Sequence, residues 1–92
     1  MTDKELLELA SKACGLKEAK MRIEFNQWNP LTDDGDALRL AVKLEMNVMV
    51  GVVRTPAGFT AIEYSEDGCR DDNELTRLAI VRAAAEIGRS MK

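Results

Sequence analysis

The chain has 92 residues, 46% hydrophobic and 32% charged, which fits one globular domain over 1–92 with a single small core. With 13 basic and 16 acidic residues the net charge is −3, which argues against a dedicated nucleic-acid binder and is too weak for a mimic of DNA. There is no histidine, so Ser-His-Asp and Cys-His arrangements and histidine-bearing zinc sites are excluded, and two cysteines cannot make a Cys₄ site.

Phe25, Trp28, Phe59 and Tyr64 are the whole aromatic complement, so the core must be built from Leu, Ile, Val, Ala and Met. Cys14 and Cys69 lack C-x-x-C spacing and read as free thiols in a reducing compartment. The opening "MTDKELLELASKA" shows no apolar signal region, and no apolar run approaches the roughly 18 residues of a membrane span. The expectation is a cytoplasmic protein without a membrane segment.

Residues 2–14 read as a helix. Thr2 and Glu5 form a T-x-x-E capping box, Leu6, Leu9, Ala10 and Ala13 recur at helical spacing, and Gly15 stands where a left-handed helix end belongs. Residues 20–25, "KMRIEF", alternate strictly, which predicts a strand at a sheet edge with Met21, Ile23 and Phe25 facing the core. Residues 33–45 form the second helix, with Ala37, Leu40, Ala41 and Leu44 on one face, Leu38 and Val42 beside them, and Arg39 and Lys43 toward solvent.

Residues 47–54, "NVMVGVVR", are nearly continuous apolar residues, which predicts one central strand covered on both faces, with Gly51 where a helix comes close. "TPAG", 55–58, is turn chemistry, and "FTAIEY", 59–64, returns as the hairpin partner. After the polar loop "SEDGCRDD", 65–72, Asp71 and Glu74 cap a long helix from about residue 73 to 90 whose second half is alanine-rich. The predicted order is α-β-α-β-β-α: an α+β, α/β/α layered domain with a mixed three-stranded sheet covered by helices. The first two strands are parallel through a right-handed crossover.

"WNPLTDDGDALRLAVKL", 28–44, carries the candidate site. Asp at a helix cap or first turn satisfies unpaired amides and the positive end of the helix dipole. Thr32 or Asp33 serves as the cap, Asp34 and Asp36 lie in the first turn, and Pro30 holds Asn29 extended. This explains every residue of "NPLTDDGD" but not the Trp. A metal site fits poorly, because calcium loops space their ligands over about 12 residues and two-metal sites draw carboxylates from separate elements. Glu18 to Lys20 match the E-x-K of some nucleases, but they precede the predicted strand. The chain is therefore read as a non-enzyme without metal or cofactor, a carboxylate-dependent metal nuclease being the alternative.

Trp28 has two readings. It packs over the end of the core, or it is partly exposed and anchors a partner surface together with Asp33, Asp34 and Asp36, whose acidic rim favours a basic protein.

"WNPLTDDGDALRLAVKL" resembles the signature of the phage ABA sandwich domain family, small phage and prophage proteins. "AIVRAAAEIG", 79–88, is similar to that family's C-terminal helix. Between Gly15 and Trp28 the chain departs from the pattern, with room for one short strand where the family has a longer β segment. The resemblance implies an α/β/α fold and a phage or prophage origin, and it implies no activity. The expected function is a non-enzymatic accessory or interaction protein with an unidentified protein partner. The second reading is a nucleic-acid-associated accessory of phage recombination or replication, resting on Arg22 of the polar strand face and Trp28 just beyond it.

Overall fold

A computed structural model describes residues 2–50, 52–56, 58, 60–63 and 71–91. Within them lie helices α1 (Asp3–Cys14), α2 (Ala19–Glu24) and α3 (Asp34–Lys43), strands β1 (Asn47–Met49), β2 (Val52–Arg54) and β3 (Thr60–Ile62), and helix α4 (Asp72–Ser90). The class is α+β with a three-stranded sheet, as expected. The order is α-α-α-β-β-β-α, and the sheet, β1-β2-β3, is antiparallel throughout instead of mixed.

The capping chemistry is where the sequence places it. Glu5 N–H donates to Thr2 Oγ1 and Thr2 N–H donates to the Glu5 carboxylate, closing the box at the start of α1. The Thr2 N–H and, after it, the Thr2 hydroxyl donate to the charged Glu5 and hold its pKa below the ordinary carboxylate value. Gly15 ends α1 at φ 68. Asp71 caps α4 by accepting from Glu74 N–H at 2.7 Å.

The expected strand over 20–25 is the helix α2. Alternation signals a strand only if a neighbouring strand is available, and none lies beside this segment among the described residues. Ala19 and Ile23, four residues apart, are half-buried on one helical face, while Met21 and Phe25 are exposed. Without this strand the described residues form no parallel crossover.

The expected single strand over 47–54 is a hairpin. The chain reverses between Met49 and Val52, and Asn47, Val48 and Met49 pair with Arg54, Val53 and Val52. β2 is central and β1 is an exposed edge. Val50 is 64% exposed, so an aspartate there meets water and not the core. Residues 55–58 turn as predicted, with Gly58 at φ 92 and its N–H donating to the Thr55 carbonyl at 3.0 Å. β3 then pairs Ile62, Ala61 and Thr60 with Val52, Val53 and Arg54. The expected ends of this strand at Phe59 and Tyr64, and the polar loop with Cys69, lie outside the described residues apart from Asp71 and Asp72.

α4 is the centre of the core. It packs against α1, α3 and all three strands, and Ala79, Ile80, Val81, Ala83, Ala84 and Ala85 are buried along it. Val53 is fully buried beneath it. α1 lies alongside α4, with Gly88 against the backbone of Leu9 and Lys12 Nζ donating to the Met91 carbonyl at 3.0 Å. The opposite face of the sheet carries Met49, 71% exposed, and Ile62, 63% exposed. Among the described residues the sheet is thus covered on the face that carries Val53 and open on the other.

Candidate interaction surface

The acidic segment folds as a helix start. Asp33 is the cap, accepting from Asp36 N–H at 2.7 Å; Thr32 is not. Asp36 reaches back to accept from Asn29 N–H at 2.9 Å, and Asn29 Oδ1 accepts from Leu31 N–H at 3.0 Å, which fixes the turn around the buried Pro30. Each aspartate also meets a cation. Arg39 lies 2.7 Å from Asp36 and 3.9 Å from Asp33, and Arg77 of α4 lies 2.5 Å from Asp34 while its Nε donates to the Leu31 carbonyl at 2.9 Å. Exposed pairs of this kind contribute about 0–1 kcal/mol each. Their larger effect is on the surface, where two guanidinium groups neutralise much of the acidic rim.

Trp28 is 8% exposed and belongs to the core cluster with Ala37, Leu40 and Ala41. The four residues expected to form one partner surface are therefore divided. Asp33 and Asp34 stay exposed, Asp36 is half-buried, and the indole faces inward. The same burial removes the expected stacking aromatic, and Arg22 and Glu24 lie on α2, not on a strand face. Glu18, of the E-x-K tripeptide, is the exposed residue preceding α2. Among the described residues no group of three Cys, Asp or Glu side chains is arranged to hold a metal ion.

A different surface stands out. Leu38 and Val42, one turn apart on α3, are 64% and 68% exposed. Beside them runs the exposed run Val48, Met49 and Val50. A groove of about 490 Å³ joins the two elements, with Leu38, Ala41, Val48 and Ile80 along it and the Asp34–Arg77 pair at one end. The sequence held a signal for this face. α3 has a second apolar stripe at i and i+4, separate from Ala37, Leu40, Ala41 and Leu44, where one core-facing side suffices.

Comparisons of the chain with protein-family models, with curated proteins and with solved structures found no match. Among the described residues no helix is long and apolar enough to cross a membrane.

Proposed function

We propose that the chain is a non-enzymatic protein-interaction domain that docks through the apolar face of α3 and β1. The observation that carries this reading is that the exposed Leu38, Val48, Met49 and Val50 line one groove, with Val42 exposed one turn from Leu38. Scattered surface leucines need no explanation, but contiguous apolar patches mark contact sites. The absence of histidine supports a binding role over acid–base catalysis. The resemblance of residues 28–44 to the phage ABA sandwich family supports a phage or prophage origin and work in the cytoplasm of a bacterial host. An apolar groove with a neutralised acidic end selects its partner by shape and apolar contact more than by charge.

The test is affinity capture with the whole chain, wild type against Leu38→Glu, with retained proteins identified by mass spectrometry. Leu38 is exposed, so the variant keeps the wild-type melting temperature. The reading expects an identified protein, or the chain itself, to be retained by the wild type and lost with Leu38→Glu. Identical retention by both forms refutes it.

A further inference from the structure

We infer that the occupant of this face is a second copy of the chain: two β1 strands pair antiparallel about a two-fold axis and extend the sheet from three strands to six. The inference rests on reading α3 and β1 as a docking face, and three observations carry it further.

The first is the edge itself. β1 is the outer strand of the order β1-β2-β3, and among the described residues no strand lies on its far side. An edge strand presents a row of unpaired N–H and C=O groups, and proteins usually protect such edges with charges, prolines or bulges. Asn47, Val48, Met49 and Val50 provide no charge and no proline, and the pairing of β1 with β2 is regular.

The second is area. Leu38, Val42, Val48, Met49 and Val50 leave between 42% and 71% of their surfaces exposed, and a second copy would cover them at both ends of the two-fold contact. A standard stable interface buries roughly 800 Å² per partner, and the edge backbone and flanking polar atoms would add to the apolar area.

The third is self-complementarity of charge. In a register centred on Val48, each Val48 opposes Val48 of the second copy and Asn47 opposes Met49. Met46 opposes Val50. Over 46–50 no charged side chain meets its like, and the ion pair of Asp34 with Arg77 in the groove is already closed within the chain. A two-fold axis normal to the sheet keeps the helices of both copies on one side and brings the two α3 stripes together. The interface is isologous and closes at a dimer.

The test is sedimentation equilibrium of the whole chain over a dilution series, with the fold of each variant checked by thermal melting. The expected result is a reversible monomer–dimer equilibrium that Met49→Lys weakens about tenfold or more in Kd. Phe25→Glu, which alters a comparably exposed apolar residue just after α2, leaves it unchanged. Adding Asn47→Asp to Met49→Lys sets opposite charges across the two-fold axis and restores association. A chain that is monomeric throughout overturns the inference, as does a dimer indifferent to Met49→Lys or one dissociated by Phe25→Glu. A monomeric chain that still retains another protein through Leu38 overturns only the second copy. A monomeric chain with no Leu38-dependent partner overturns the docking reading as well.

Discussion

Among the described glycines, Gly88 is where an added methyl should damage the protein most. A Cβ on Gly88 would lie 2.8 Å from the carbonyl carbon of Leu9, 3.3 Å from its Cα, and closer still to its oxygen. The obstacle is backbone, so no side-chain rotation relieves it and α1 must move away from α4. Overpacking of a core usually costs about 1–3 kcal/mol, and a displaced helix belongs at the upper end. Alanine returns about 1 kcal/mol through its higher helix propensity. The net loss is about 2 kcal/mol, or a fall in Tm of roughly 8–16 °C for a domain of this size. Gly35→Ala is the internal control. There the Cβ would lie 3.4 Å from the Arg39 guanidinium, a movable end, and 3.2 Å from Asp33 Oδ2, the oxygen that caps α3, which must give by a few tenths of an ångström. The helix gain, about 0.5–1 kcal/mol, then roughly offsets a weakened cap and Tm stays within a few degrees of wild type. Thermal unfolding by circular dichroism measures both. A Gly88→Ala variant as stable as wild type, or a Gly35→Ala variant as damaged as Gly88→Ala, would refute the packing described for α1 and α4.

Trp28→Ala should cost about 3–5 kcal/mol in urea unfolding, because it empties the site between α3 and the core, and native Trp28 emission should be blue-shifted and resist acrylamide quenching. A red-shifted, freely quenched emission would put the indole back at the surface. The capping box predicts a pH effect. The Thr2 hydrogen bonds lower the Glu5 pKa in the folded state, so their contribution is present above the unfolded pKa and is lost as pH falls through the folded value. The destabilisation by Glu5→Ala should shrink in acid, and an undiminished effect on melting at low pH would contradict the reciprocal bond from Thr2 N–H to the Glu5 carboxylate. Burial raises the Cys14 thiol, whose Sγ–H also donates to the Ser11 carbonyl at 3.5 Å. In a Cys69→Ser background its alkylation at neutral pH should be slower than that of a free thiol, and equal rates would show an open site.

Local signals in the sequence were reliable where the chain answers to its own backbone. Thr2 with Glu5, Gly15, Asp33, and Asp71 with Glu74 act as written, because caps and helix ends depend on residues within one turn. The class and the antiparallel pairing of β2 with β3 were also legible, since "TPAG" is turn chemistry at short range. Two segments misled because their pattern depends on distant partners. "KMRIEF" alternates, yet with no strand beside it among the described residues the segment closes its hydrogen bonds as a helix, and Ile23 supplies the contact with the core. "NVMVGVVR" is apolar throughout, which suggested a buried strand. A glycine in the middle of such a run, with paired residues on either side, is also a hairpin signal. The parallel strand pair of the expected mixed sheet, and its covering layers, depended on those two readings and changed with them. In the candidate site the three aspartates were legible as a helix start. Their two arginine partners were less so, because Arg77 is 43 residues from Asp34.

The exposed hairpin edge is the feature on which the proposed docking face depends, and Val50→Asp tests it most directly. Equilibrium unfolding should be measured at a dilution at which the chain sediments as a monomer. Val50 is 64% exposed, so the account predicts a change within about 0.5 kcal/mol of wild type. A loss of several kcal/mol, the mark of a charge forced into a core, would show that residues 47–54 are buried and that α3 and β1 present no open face.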